Sequence, residues 1–478
     1  MGSQRIEGGM AARFVTVDHD TRLLLPPDIR EWVPAGHLVH FVMDAVEELD
    51  MSEAKVNERG TGDEQYPPGM MLGLLIYCYA SGMLSSRVIE RMSYENVAVR
   101  LLCADTHPDH DTICTFRRRN AELLHRAFAQ VLELAARCGV LKVGGVTVAI
   151  DGTKILANAS KHSAVSYERA GQQMQELDLE ITQLLAKAEE VDSKPLEDGL
   201  SIPEEVTRRQ ERKAKLAAAR AEMEARAHAR AQAERVEYEA KVAARDAARA
   251  AGKKPRGEEP TPPSEQPTAK DQVNFTDPES RIMPGGGAFV QAFNAQAGVE
   301  ISSRLIVTQR VTNAPNDKRE LAANMAVMEP AVGSVKTVLV DNGFYSEEAV
   351  RAVEENEQGE STGTRVLAAL KRDRHGRRVA DLEKKEDPCE PEPEAPFKDH
   401  MAHRVATKAG RLLYKQRQQT IEPVFGIIKE AMGFRRFSMR GKIKTALEWT
   451  LVCLAYNLRR LHRVGTSMGT ASQALAAA

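Results

Sequence analysis

Two short apolar runs, each leading directly into an aspartate, constrain this chain more than any other feature. Val146-Thr147-Val148-Ala149-Ile150 leads into Asp151 and Gly152, and Thr337-Val338-Leu339-Val340 leads into Asp341, Asn342 and Gly343. Unbroken β-branched runs of this length are the pattern of strands buried on both faces, which belong to sheets covered by helices. An aspartate at the end of such a strand stands at the rim of the sheet while the strand stays buried. Gly152 and Gly343 are expected to allow tight turns just past each acid.

The chain between the two runs departs from the core pattern. From about 165 to 270 it is charged, Ala-rich and punctuated by proline. Met174, Leu177, Ile181, Leu184, Ala188 and Val191 repeat at alternating spacings of three and four, a short a/d seam. Residues 204–251 hold 17 alanines among Glu and Arg, so one long helix is expected. Pro255 to Pro267 has the composition of a flexible linker. The tract is expected to be a helical hairpin, at 164–272, inserted into a sheet domain formed by 141–163 and 273–465.

Around this core the pattern is legible in outline. Up to residue 140 the chain is helical. Pro67-Pro68 opens a helix through Tyr79, Gly82 ends it, and Ser85-Ser86 starts another that carries Arg87. Asp111 is expected to cap a single long helix ending at Gly139, with Arg117, Arg118 and Arg119 on its first turns. After the insertion, strands are expected at 289–295, 305–311, 335–341 and 364–369, with helices at 318–328 and 346–355. An acidic, Pro-rich loop follows, then helices at 410–432 and 443–462. The fold class is therefore a multidomain α plus α/β protein: a helical N-terminal domain (23–140), then a mixed sheet interrupted by a long helical insertion. Residues 1–22 and 466–478 are expected to be disordered.

Of 478 residues, 66 are Lys or Arg and 68 Asp or Glu, so the net charge of −2 does not mark a nucleic-acid binder. The charge is uneven, however. Between Arg404 and Lys444 there are 11 Lys/Arg against 2 Glu. Six scattered cysteines without a CxxC pair suit reduced thiols, and Cys389 with His400 and His403 lacks a fourth zinc ligand. No N-terminal signal segment is visible, and the stretch from Met70 to Leu84 is too short to span a bilayer. No membrane partner is expected, and a cytoplasmic, nucleoid-associated location is.

Glu422 lies in the basic tract, with Tyr414, Arg417 and Lys429 beside it. Two rim aspartates and one late glutamate can hold divalent metal ions, which is equipment for phosphodiester cutting and joining. Pro423 disfavours helix at Glu422, and a kink there is expected to turn Glu422 towards the aspartates. Arg435, Arg436, Arg440, Lys442 and Lys444 are expected to meet DNA phosphates, with Lys154 close to the acids. Sequence-reading contacts are expected from Arg87 or from Arg117, Arg118 and Arg119.

These residues carry a family likeness. DGTKILANASKH at 151–162, NFTDPESRIM at 274–283, FNAQ at 293–296, VDNGFYSEE at 340–348, YKQRQQTIEPVFGIIK at 414–429, FRRFSMRGK at 434–442 and LAYNLRRL at 454–461 are similar to motifs of bacterial DDE-type insertion-sequence transposases. The segments at 25–50 and 66–120 resemble that branch's N-terminal domain. The resemblance implies an RNase H-like catalytic domain in which Asp151, Asp341 and Glu422 are the catalytic and metal-holding acids. It also implies that Tyr414, Arg417 and Lys429 form the tyrosine-arginine-glutamate-lysine signature. Two Mg²⁺ ions, replaceable by Mn²⁺, are implied as cofactors. Double-stranded DNA and a homodimer or larger synaptic complex are implied as partners. The gap between Arg417 and Glu422 is one residue longer than the common form of the signature, and Asn342 is unusual after the second acid. The alternatives are a DNA-binding repressor or domesticated derivative that no longer catalyses, and a standalone nuclease of RNase H type.

Overall fold

The computed structural model describes residues 28–56, 65–191, 201–252, 258–285, 287–356, 358–370 and 386–468. The expectation of disorder at 1–22 lies outside the described residues, as does that at 469–478, while 466–468 close the last helix.

Among the described residues six helices precede the sheet: α1 (Leu38–Glu47), α2 (Pro68–Ala80), α3 (Ser86–Glu95), α4 (Val97–Leu102), α5 (His110–Arg119) and α6 (Ala121–Arg137). Every residue of α2 from Met71 to Ala80 is buried. A helix apolar on all sides belongs at a centre, and α1, α4 and α5 pack on it. Gly82 ends α2 with a positive φ of 83°, as its sequence suggested. The expected single helix from Asp111 to Gly139 is two helices, and the cap of the first is Asp109, whose carboxylate accepts from Asp111 N and Thr112 N at 2.8 Å. The break falls at Asn120. Its side chain donates to Phe116 O at 2.9 Å and accepts from Lys55 N at 2.7 Å, offering the backbone an alternative to the helical ladder.

The main sheet has the order β4-β5-β1-β7-β8, with β6 also paired to β5. Its strands are β1 (Val146–Leu156), β4 (Arg281–Gly285), β5 (Ala288–Glu300), β6 (Ile306–Thr312), β7 (Val335–Val340) and β8 (Arg365–Ala368). β7 and β8 run parallel to β1, whereas β5 is antiparallel to it. Gly298 on β5 is obligatory: a Cβ there would meet Thr308 Cγ2 at 2.3 Å. The two-stranded sheet of β2 (Ala164–Ser166) and β3 (Gln272–Asn274) forms the root of a hairpin of α7 (Tyr167–Val191) and α8 (Ile202–Ala250). Leu177 of the expected seam is buried with Leu216, Ala219 and Met223 of α8, and Met174 packs against them. The seam therefore faces α8 of the same chain. At 49 residues α8 is roughly 70 Å long. Of the expected linker, 255–257 lies outside the described residues, and Glu259 pairs with Arg249 of α8.

The C-terminal part holds α9 (Glu320–Met325), α10 (Glu347–Glu354), α11 (Phe397–Ala406), α12 (Lys408–Gly426), a π-helical turn (Ile427–Ala431) and α13 (Lys442–Met468). α9 is shorter than the helix expected at 318–328. α11 was not expected; Thr407 separates it from α12 and caps α12 through Gly410 N at 3.0 Å. No described helix is long and apolar enough to cross a membrane.

α13 packs on α2 and α6 on one side and on β6 on the other, so one apolar core runs through the N-terminal helices and the sheet. Its Glu448, only 1% exposed at the side chain, accepts from Tyr79 Oη at 3.1 Å, Ser438 Oγ at 2.5 Å and Ser438 N at 2.9 Å. Arg117 completes the network, donating to Tyr79 Oη at 2.5 Å and lying 3.8 Å from Glu448. Removing Glu448 leaves a buried guanidinium without its counter-charge. Glu448→Ala is therefore expected to cost about 3–5 kcal/mol of stability, read from the urea midpoint. The same change at the exposed Glu122 should leave that midpoint in place.

Candidate active site

Asp151 sits in the middle of β1, not at its end. β1 pairs with β7 only as far as Ala149 opposite Leu339, while its pairing with β5 continues to Leu156 opposite Ala292. Continuing the parallel register sets Asp151 level with Asp341, the first residue past β7. Gly152 is likewise in a strand rather than a turn. A Cβ there would lie 2.3 Å from Gln296 Nε2, 2.6 Å from Asn294 Oδ1 and 2.8 Å from Asp317 Oδ1, so close side-chain packing is what requires glycine. The expectation of tight turns holds only at Gly343, whose N–H donates to Asp341 Oδ1 at 2.8 Å in a 3₁₀ turn.

α12 closes the site from above. Gly410, Tyr414, Arg417, Ile421 and Val424 recur at spacings of three and four and form its inward line. The Tyr414 hydroxyl donates to Val340 O at 3.1 Å, fixing α12 to the end of β7. Arg417 Nη1 donates to Asp151 Oδ2 at 2.9 Å, with the Arg417 side chain 9% exposed and that of Asp151 22% exposed. Burial pushes the Asp151 carboxyl up to about 6; Arg417 opposes this and Asp341 adds to it. Burial works against the Arg417 charge, but Asp151, Tyr414 and Asp341 outweigh it and hold the guanidinium above its usual value. Burial also raises the Tyr414 phenol.

Two amines complete the basic side. Lys154 is half-buried; burial lowers its ammonium, against the pull of Asp317, Asp151, Glu320 and Asp341. Lys429, on the π turn, is lowered by burial and then by Arg435, with Lys154 near enough to contribute. Asp151, Asp341, Tyr414 and Arg417 are thus gathered at one place, with Lys154 within electrostatic reach of both acids and Lys429 within reach of Lys154.

Glu422 is not gathered with them. It is exposed and has no hydrogen-bond or ion-pair partner among the described residues. α12 runs through Pro423 to Gly426, so the expected kink does not turn Glu422 inward. The reason is helical phase: the inward position is taken by Ile421, and one further residue rotates the side chain by about 100°.

The arginines divide similarly. Arg117 is buried in the Glu448 network and is not available to DNA; it follows Ile113 by four residues on the inner face of α5. Arg87, Arg118 and Arg119 are exposed. Arg435 to Phe437 run beside the end of β1, where Leu156 N donates to Arg435 O at 3.1 Å and Phe437 N to Leu156 O at 2.8 Å. Arg435 pairs with Glu430, Arg436 donates to Ala157 O at 3.3 Å, and Arg440 donates to Asn158 O at 3.1 Å. All three remain exposed, while Lys442 is half-buried and its N–H donates to Glu279 at 2.8 Å.

Sequence reasoning missed the support behind Gly152. Asp317 Oδ1 accepts from Asn294 Nδ2 at 2.7 Å and Gln296 Nε2 at 2.6 Å, and Asn324 Nδ2 donates to Gln296 Oε1 at 3.2 Å. The signal was present in FNAQ, where two amides alternate along a strand facing β1.

Among the described residues no three His, Cys, Asp or Glu side chains are close enough to hold a metal together. The Asp151–Asp341 pair still fits a hard cation such as Mg²⁺, which takes one or two carboxylates plus phosphate and water oxygens. The Arg417 guanidinium supplies positive charge at Asp151.

The Asp151 carboxyl lies above its ordinary value of 3.8 in the folded chain, so its ionisation disfavours folding. The stability of the wild type relative to Asp151→Asn is greatest below about pH 4. It is expected to fall by about 3 kcal/mol as pH rises through 6 and to stay level above, measured by urea denaturation across pH.

Comparison with known proteins gives two matches. Residues 27–119, most of the N-terminal helices, match the family described as "Transposase domain (DUF772)". Residues 383–462, which include Tyr414, Arg417, Glu422 and Lys429, match the family described as "Transposase DDE domain". No curated protein and no solved structure matches the chain. At both ends of its described fold, then, the chain is similar to transposase domains.

Proposed function

We propose that the protein is a DDE-type transposase that binds the inverted repeats at the ends of its element, nicks there, and joins the freed 3′ hydroxyl to target DNA. The observation that carries this reading is the register of β1 against β7, which sets Asp151 beside Asp341, with Arg417 reaching the first from the segment similar to a transposase DDE domain. The order β6-β5-β1-β7-β8, with β5 alone antiparallel to β1 among its two neighbours, supports an RNase H-like core.

In this reading Asp151 and Asp341 hold a divalent ion, Mg²⁺ or Mn²⁺. When bound, it supplies charge neutralisation at the phosphodiester. Lys154 and Lys429 grip the phosphate as cations already stripped of part of their water. Tyr414 holds α12 against the rim, and Arg417 orients the Asp151 carboxylate. Glu422 serves as the third acid after a rotation of the last turn of α12, for which Pro423 and the adjoining π turn are the soft point. The protein acts as a dimer or larger assembly because two element ends must be joined.

The Arg417–Asp151 pair and the outward Glu422 also suit a second reading, a DNA-binding protein that no longer cuts. A strand-nicking assay on end DNA with Mg²⁺ or Mn²⁺ separates the two. Asp151→Asn and Asp341→Asn are expected to reduce nicking by roughly 1,000-fold or more while leaving DNA binding intact, on the scale of a removed electrostatic group. Glu422→Gln is expected to lose activity comparably. Full activity of Asp151→Asn would sink the transposase site as drawn. Specific binding without cleavage by the wild type would favour the second reading.

A further inference from the structure

The base of the helical hairpin carries a basic groove that the site above does not use. α8 passes the end of the sheet there, and its Arg226 and Arg230, one turn apart, line a groove with Lys270, Arg281 and Pro315. Arg226 donates to Pro278 O at 2.5 Å and to Gln272 O at 3.4 Å. Arg281 donates to the same Pro278 O at 2.8 Å and to Ser280 O at 2.9 Å. One carbonyl therefore holds two guanidiniums against each other. Burial, and after it the neighbouring Arg226, push Arg281 down to about 10. Arg226 is bonded to Glu222 at 2.8 Å and Arg230 to Asp271 at 3.2 Å. Arg281 has no ion pair among the described residues, and Lys270 is exposed. Four cations and a single carboxylate, Asp271, line the groove.

Like charges fixed together by backbone bonds form a preorganised anion site. Its position narrows the class of anion. Arg281 pairs with Ala292 and Ala292 with Leu156, so Arg281 shares a sheet face with Lys154, two residues back along β1. Pro315 lies two residues before Asp317, whose carboxylate is the strongest influence drawing the Lys154 charge. Five residues along the strand and two strands across put Arg281 about 20 Å from Asp151, and the odd spacing sets the two on opposite faces of the sheet, so a path between them rounds the sheet's rim. That is roughly 6 base pairs of duplex at 3.4 Å per step.

We propose that this groove is a phosphate track that takes the DNA backbone leaving the Asp151–Asp341 site, with the α7–α8 hairpin as its outer wall. It rests on the transposase reading and gives the inserted hairpin a task. The full chain carrying Arg230→Gln with Lys270→Gln tests it, since both side chains sit on the surface and helix α8 retains its packing face. Binding to end DNA is measured against salt. The slope of log affinity on log salt is expected to fall by about 2, with affinity about tenfold weaker near physiological salt. Hydroxyl-radical protection should disappear roughly 6 base pairs from the nicked bond. The charge-keeping pair Arg230→Lys with Lys270→Arg should restore both. An excess of inorganic phosphate should not reproduce the loss; if it does, the groove is a site for free phosphate. An unchanged slope and footprint in a variant that melts like the wild type overturns the track. If the wild type nicks end DNA and the slope is unchanged, only the track fails. If it binds with a variant-sensitive slope yet never nicks, the track stands and the catalytic reading fails. A wild type that binds no DNA overturns both.

Discussion

The unequal pairing of β1 governs the arrangement of everything else. Its antiparallel partner β5 follows it to Leu156, whereas its parallel partner β7 stops one residue short of Asp341. One edge of β1 is thereby left without a strand from Ile150 onward. Buried backbone groups must find partners, and Arg435 to Phe437 meet that need at Leu156. In the gap between the end of β7 and this late segment lie Asp151, Asp341 and the Arg417 guanidinium. The site is a consequence of where one strand ends beside another that continues.

α13 holds this arrangement together. Trp449 Nε1 donates to Gln296 O at 2.9 Å, and Asn457 both donates to and accepts from the backbone of Ile306, at 2.8 and 2.9 Å. On its other side Glu448 closes the network with Tyr79 and Arg117. Its N-terminus is met by two carboxylates from the NFTDPES segment: Gly441 N donates to Asp277 at 3.3 Å and Lys442 N to Glu279 at 2.8 Å. Acids at a helix N-terminus satisfy free N–H groups and complement its dipole. That segment, conspicuous as a motif, thus does structural work at the root of the hairpin, close to the basic groove.

Much of the fold was legible in the chain because local patterns and burial agree. The β-branched runs became β1 and β7, the Ala-rich tract became α8, and Ser346 caps α10 through Ala349 N at 3.1 Å. Failures came where a polar side chain overrode a periodicity, as Asn120 did in splitting α5 from α6. They came also where a residue's phase mattered more than its type. Arg117 reads like Arg118 and Arg119, yet it lies on the Ile113 line and is buried.

By itself the sequence determined which acids follow buried apolar runs, which helix bears the Tyr414 and Arg417 pattern, and that a long charged hairpin interrupts the sheet. These follow from hydrophobic period and turn chemistry, both local properties. Only the tertiary structure decided that Asp151 lies in the middle of its strand, level with Asp341, because register depends on a partner nearly 200 residues away. It likewise decided that Arg417 faces Asp151 while Glu422 does not. A helix presents one line of residues to the surface it packs on, and Ile421 holds the place on that line.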